Sequence, residues 1–441
     1  MAADSDLGAE ALPNEVVVTE ILARLPAKSV GRFRCVCRGW SAMLSSDYFI
    51  DLHRQRANRS SGPPRLLVTA VGSSYDGYLY SWQLGDGAVE KLMRDDWLQS
   101  VVPLTKHCRG LVLIRATDCG GYYVVNPCSG EALALPDSQV PFKMAYKTSG
   151  WSRRSMEPPC YLRVSYGLGY YTTRKEYKVV LVRWFTPTTG TGYWRPSAER
   201  SPLCSVTPWN YPAVFLDGHL HFLCFDGGIV TFSIGDETFG SLLSPPGFGN
   251  VATSVSVLTE LDGRLCVCYG EPDSDDPLVL CVYYNKEARW EKLICCIDRT
   301  AWPESERMLL KSLWIAPVGV YYSAAGTTLK IMFGTGSCKV FAVDSNGGAD
   351  PEILLTPEDT IIGNCEDDYL PTIGLYEESL VSLGRTIEDM IFSSPTTAAW
   401  FNILKWLPAR SLSELRMVCR EWRGMIMSDC FIRSHAVSTQ T

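Results

Sequence analysis

A strand–turn–strand unit recurs through the middle of this chain and limits its fold more than any other feature. "YVVNPCSGEALALP" (123–136), "IVTFSIGDETFGSLLSPP" (229–246) and "LVLCVYYNKEARWEKL" (278–293) each run from an apolar strand through a polar turn to a second strand. "YLYSWQLGDGAVEKLM" (78–93) and "KVFAVDSNGGADPEIL" (339–354) follow the same plan more loosely. Two similar turns, "LDGHL" (216–220) and "LDGRL" (261–265), lie 45 positions apart (261 − 216). Asp-Gly between apolar runs favours a hairpin, because the turn needs positive φ. Four short strands repeated at this period predict propeller blades. The span from Arg65 to about Leu355 has room for about six of them. A pair of β-sandwiches with similar turns is the alternative arrangement.

Both flanks read differently. Asn14 can cap a helix carrying Val17, Ile21, Leu22 and Leu25, ended by Pro26. Ser29 then starts a second helix, with Val30, Phe33, Val36, Cys37, Trp40, Met43 and Leu44 on one stripe at helical spacing. Phe49 and Leu52 follow on a short third piece, and "NRSSGPP" (58–64) has linker composition. After "GNCEDDYLP" (363–371) the text turns helical again, through "ESLVSLGRTIEDMIF". The predicted class is multidomain α+β. A helical unit at 12–57 and a linker at 58–64 precede an all-β propeller-like domain at 65–362, and a helical segment at 373–436 follows.

The two flanks are related. Sliding the ends by 382 positions (407 − 25) aligns 21–53 with 403–435 without a gap, and 17 of the 33 positions are identical. "RFRCVCRGW" (32–40) and "ELRMVCREW" (414–422) are the clearest part. The front end of the second copy has changed: Leu12-Pro13-Asn14-Glu15 becomes Ser394-Pro395-Thr396-Thr397. Its first helix, "AAWFNILKWL" (398–407), is apolar nearly all round, as a buried helix is. The expectation is a degenerate copy packed on the body of the protein, and a second working copy is the alternative.

Composition narrows the chemistry. With 20% charged residues and a net charge of −7, nucleic acid is not the expected partner. The acidic start, "MAADSDLGAEALP", lacks the parts of a signal peptide. The longest uncharged window, Ser312 to Leu329, is broken by Pro317, Gly319 and Gly326, so no membrane span is expected. Seventeen cysteines include C-x-C pairs (Cys35/Cys37, Cys266/Cys268) but no C-x-x-C, which favours mostly buried, reduced thiols and no zinc site. A cytoplasmic or nuclear setting follows.

His219 and His221 share a strand face but lack a third ligand at a motif spacing. Gly167/Gly169, Gly190/Gly192 and Gly334/Gly336 lack the third glycine of a dinucleotide loop. "EPDSDDP" (271–277) and "CEDDY" (365–369) read as solvated loop tips, and "GWSRRS" (150–155) as surface. No cofactor, metal or catalytic centre is expected.

"LPNEVVVTEILARLPAKSVGRFRCVCRGWSAMLSSDYFIDLH" (12–53) closely resembles the F-box. Leu12-Pro13, Glu15, Ile21-Leu22, Leu25-Pro26, Ser29, Arg32 to Trp40, Phe49 and Leu52-His53 stand in the family's order. "CRGLVLI" (108–114), "VVNPCSGEALALP" (124–136), "YGLGYYTTRKEYKVVLV" (166–182) and "VFLDGHLHFL" (214–223) resemble the F-box-associated, kelch-like domain of plant proteins. The family's Trp-Asn-Pro is Val125-Asn126-Pro127 here. The resemblance implies a non-catalytic substrate receptor. It would bind a Skp-type adaptor, and through it a cullin of a ubiquitin ligase, while the β domain takes a protein substrate. By the same resemblance the adaptor face draws on Leu12, Pro13, Ile21, Leu22, Leu25, Pro26, Val30, Val36, Cys37 and Trp40, some of which can equally be the unit's own core. An interaction scaffold outside a ligase, or a glycan-binding or enzymatic propeller, are the alternatives.

Overall fold

A computed structural model of the chain describes residues 16–58, most of 64–135, residues 164–183, the strands and turns within 213–297 and 315–355, residues 373–383, and residues 404, 407–415 and 426. Asn14 and the segments 150–155, 271–277 and 365–369 lie outside them.

The first flank is helical. α1 (Val17–Ile21) is a wide π-type turn that tightens into a 3-10 turn at Leu22–Arg24, where Pro26 stops it. α2 (Ala27–Phe33), α3 (Arg38–Leu44) and α4 (Asp47–Ala57) follow. The expected single second helix is thus two, and it starts at Ala27 rather than Ser29. Cys37 is extended (φ −157°, ψ 163°), and its Sγ accepts the Trp40 amide at 3.4 Å, so the residue caps α3 instead of continuing α2. The expected short third piece is the longest helix here, capped by Ser46 Oγ on the Phe49 amide.

The middle is all β. Five sheets have four antiparallel strands and one, among the described residues, has two. The first sheet holds β1 (Arg65–Thr69), β2 (Tyr78–Gln83) and β3 (Val89–Arg94). The second holds β4 (Val101–Pro103), β5 (Val112–Ala116), β6 (Tyr122–Asn126) and β7 (Glu131–Ala134). β8 (Val164–Tyr171) pairs with β9 (Glu176–Arg183). β10 (Val214–Leu216), β11 (His219–Leu223), β12 (Ile229–Ser233) and β13 (Phe239–Leu242) form the fourth. β14 (Ser256–Leu261), β15 (Arg264–Gly270), β16 (Leu278–Lys286) and β17 (Arg289–Ile297) form the fifth. β18 (Ile315–Tyr322), β19 (Leu329–Thr335), β20 (Val340–Asp344) and β21 (Glu352–Leu355) form the sixth.

The five recurring sequence units are the outer hairpins of the five four-stranded sheets: β2–β3, β6–β7, β12–β13, β16–β17 and β20–β21. Asp217-Gly218 and Asp262-Gly263 make the β10–β11 and β14–β15 turns with positive φ at both residues (48° and 77°, 51° and 70°).

The sheets form a closed ring. One apolar cluster joins sheets one and two through Leu67, Met93, Val112 and Tyr123. Others join sheets two and three (Leu113, Leu168), three and four (Val182, Phe222), four and five (Leu223, Val267) and five and six (Cys268, Phe333). The last joins sheet six back to sheet one through Met332, Val340, Val68 and Trp82. Across the ring, Lys106 Nζ of the second sheet donates to the Glu260 carbonyl of the fifth at 2.6 Å, and burial pushes its ammonium pKa down.

Helix was expected from residue 373, but Ile373–Leu375 is a strand, β22, paired to the open edge of β1. It completes the first sheet with the order β22-β1-β2-β3, so the β domain extends past 362. An unpaired β1 edge would leave its backbone groups unsatisfied, and that need overrides the helical look of the sequence. Residues 376–383 continue without helix. Beyond them, α5 (Ala409–Leu415) belongs to the C-terminal copy.

Candidate functional site

α1 to α4 fold around Val18, Leu22, Ala23, Ala27, Val30, Leu44 and Phe49, and this core is completed by Cys128 and Leu380 of the propeller side. Arg34 pins the turn after α2, donating to the Leu44 carbonyl at 2.9 Å and to the Leu380 carbonyl at 3.2 Å. The His53 ring, fully buried, meets the Leu25 carbonyl at 2.8 Å, and burial pushes its pKa below the ordinary histidine value. The Phe33 and Trp40 rings meet edge to face at 5.5 Å.

This packing divides the residues expected at the adaptor face. Leu22 and Val30 are 3% and 0% exposed and point into the core, so neither is available to a partner. Leu25 and Trp40 are half-buried against the same core. Ile21, Pro26, Val36 and Cys37 are exposed, with Val36 at 65%. Leu12 and Pro13 lie outside the described residues. The reason is geometric: a helical stripe counts apolar residues but cannot tell the side that meets the propeller from the side that meets water. Val16 and Tyr48 are further exposed apolar residues that the stripe missed. Tyr48 adjoins the buried Phe49, and an aromatic residue off the stripe was the available signal.

The C-terminal copy repeats the arrangement. Its described cluster joins Leu404, Leu412 and Ile426, with Leu407 and Leu415 packed against them. These are the counterparts of Leu22, Val30 and Leu44, with Leu25 and Phe33, in the first core. α5 has the bounds of α2 shifted by the same offset. The amide of Leu407 donates to the Leu404 carbonyl (3.0 Å) as that of Leu25 does to Leu22 (3.3 Å). Leu412 to Pro408 likewise repeats Val30 to Pro26, both at 3.1 Å. Among the described residues this cluster contains none from the propeller; Trp400, Trp406 and Trp422 lie outside them.

The remaining chemistry is quiet. His219 and His221 hold the Asp217 and Val214 carbonyls at 2.9 and 3.2 Å, and no group of three potential metal ligands occurs among the described residues. Burial pushes the Cys108, Cys128 and Cys266 thiols up to about 12, 11 and 12. Cys35 and Cys37 are free and exposed, while Cys224 is disulfide-bonded, contrary to a fully reduced set. No described helix is long and apolar enough to cross a membrane.

The F-box domain family matches residues 10–52 and again 397–434. An Arabidopsis thaliana protein named for an F-box is 25% identical over 295 residues, 63% of this chain and 61% of the relative. An F-box/kelch-repeat protein of the same plant is 24% identical over 64% of this chain and 79% of its own length. A further Arabidopsis F-box protein is 52% identical over 70 residues, 18% of its length. The chain therefore spans less than two thirds of the first two of these relatives by rank, at 61% and 18%. TolB of Acinetobacter baumannii matches at a TM-score of 0.33 and 8% identity, over 75% of this chain and 73% of that one, too low to carry an argument. The chain carries an F-box domain at each end of a β-propeller-like body and has plant F-box proteins among its relatives.

Proposed function

We infer that this protein is the substrate-recognition subunit of a Skp–cullin–F-box ubiquitin ligase, non-catalytic itself, acting in the cytoplasm or nucleus. The observation that carries this reading is the apolar set Ile21, Pro26, Val36 and Cys37, exposed on a unit whose own core is already complete. Apolar side chains held outward on a rigid helical unit favour a partner groove. Leu12 and Pro13 would extend that contact. The protein substrate would be taken by the propeller, where specificity resides in loops. Affinity purification with the proteasome inhibited, comparing the full chain with one lacking residues 12–57, tests the assignment. Adaptor and cullin recovery should fall for the shortened chain, and fall to nothing if the C-terminal copy takes no adaptor; equal recovery from both would refute the assignment.

A second reading concerns the C-terminal copy, and residue substitution favours it. Every exposed member of the first set recurs: Ile403, Pro408, Val418 and Cys419. Arg34, Ala27 and Asp47 at the junction with the propeller recur as Arg416, Ala409 and Asp429, but three other junction residues do not, since Asp51, Arg54 and Asn58 become Arg433, Ala436 and Gln440. Arg433 at the place of Asp51 would set like charges against Arg109 if the second copy docked as the first does. The second copy would then offer a second adaptor face, weakened by loss of the Leu12-Pro13 counterpart.

A further inference from the structure

We propose that Tyr376–Leu383 is a strap that locks the N-terminal F-box to the propeller, so that the two move as one rigid body. The proposal does not depend on what the F-box binds.

Two adjacent carboxylates make the lock. Glu378 Oε2 accepts the Ala27 amide at the start of α2 (2.6 Å), and its Oε1 takes the Arg65 guanidinium of β1 (2.6 Å). The Asn58 side chain, at the end of α4, donates to the Glu378 carbonyl (3.0 Å) and accepts its amide (2.8 Å). One residue therefore holds the front of α2, the end of α4 and the first propeller strand. Glu377 lies between Arg54 of α4 (3.7 Å) and His107 of the second sheet (3.2 Å).

The strap is itself held by the propeller. Asn126 donates to the Ser379 and Val381 carbonyls at 3.0 and 2.8 Å, and Glu131 accepts the Leu383 amide at 2.6 Å. Gly110 leaves no room for slack, because a Cβ there would stand 2.3 Å from Ser379 Cβ. Leu380, 5% exposed, then inserts into the F-box core. Salt bridges at the edge add orientation: Lys28 to Glu90 (2.7 Å), Asp51 to Arg109, and Asp47 to Lys175 (3.2 Å) reach the first three sheets in turn.

The order of events follows from connectivity. The strap begins at the residue after β22, the strand that closes the first sheet. A ring that has not closed cannot present Glu378 to α2, so closure of the propeller and docking of the F-box are one step. Isolated surface pairs would not suffice, since each is worth little. Glu378 differs because its residue is buried and satisfies backbone and side-chain donors together.

Hydrogen exchange on the full chain with Glu378→Ala and Asn58→Ala tests the lock. Exchange of the Ala27 to Val30 amides and proteolytic cleavage within 59–63 should rise about tenfold or more, with β11, β15 and β19 amides unchanged. If the double variant does not fold, Asn58→Ala alone removes both hydrogen bonds between the end of α4 and Glu378, with a smaller rise expected at the same sites. Unchanged exchange and cleavage in whichever variant folds would overturn the proposal. So would an equal loss of protection in the propeller strands, because the strap would then be ordinary propeller structure.

Discussion

The amide of Ala27 donates to Glu378 Oε2 at 2.6 Å although 351 positions separate them. The helix that opens with Ala27 is thus capped by a residue that follows the last propeller strand. Ala27 itself is 4% exposed, so an unpartnered amide there would be costly, about 1–3 kcal/mol for a buried donor. The exposed and buried halves of the F-box follow from that docking, and they separate binding from stability in the variants below.

Val36→Asp should leave the protein folded and abolish adaptor capture, since Val36 is 65% exposed and a charge buried unpaired at an interface costs roughly 3–5 kcal/mol. Leu22→Ala should do the reverse, lowering stability by about 2–5 kcal/mol through a core cavity. Thermal denaturation beside adaptor pull-down separates the two. Undiminished capture by Val36→Asp would remove that residue from the face.

Native mass measurement of the adaptor complex decides the role of the C-terminal copy. The second reading predicts two adaptors per chain, with Trp40→Ala and Trp422→Ala each removing one. A single adaptor, untouched by Trp422→Ala, would instead support a degenerate copy held on the body of the protein. In that case Trp422→Ala should lower stability, by about 3–5 kcal/mol for an emptied tryptophan site.

Gly167→Ala should destabilise the ring without touching the F-box. A Cβ at Gly167 would stand 2.7 Å from Leu220 Cδ1 and 3.0 Å from Ala213 Cβ, where β8 packs against the next sheet. Overpacking of this kind costs about 1–3 kcal/mol. A lower midpoint in urea with adaptor capture unchanged is expected. No change in the midpoint would show that Leu220 yields freely.

His53 makes the F-box sensitive to mild acid. Burial holds its pKa below the ordinary 6.5, so the folded unit keeps a neutral ring while the unfolded chain takes up a proton. The stability it contributes is complete above pH 6.5 and declines as the pH falls from there toward the folded pKa. His53→Gln should flatten stability against pH in that window. A retained slope would assign the effect to another group.

The outer hairpins, the Asp-Gly turns, the N-terminal helices and α5 were legible in the sequence because each rests on local periodicity or local φ preference. So was the duplication, since Leu404, Leu412 and Ile426 fill the places of Leu22, Val30 and Leu44. Three things were decided only by tertiary structure. Cys37 broke the expected long helix because the turn at Arg34 is fixed by carbonyls of Leu44 and Leu380, the latter 346 positions away. Ile373–Leu375 became a strand because the edge of β1 needed a partner. Leu22 and Val30 turned inward, and Ile21 and Val36 outward, because Cys128 and Leu380 complete one side of the helical unit. Periodicity lists apolar residues along a chain, but what each faces depends on contacts between segments hundreds of positions apart.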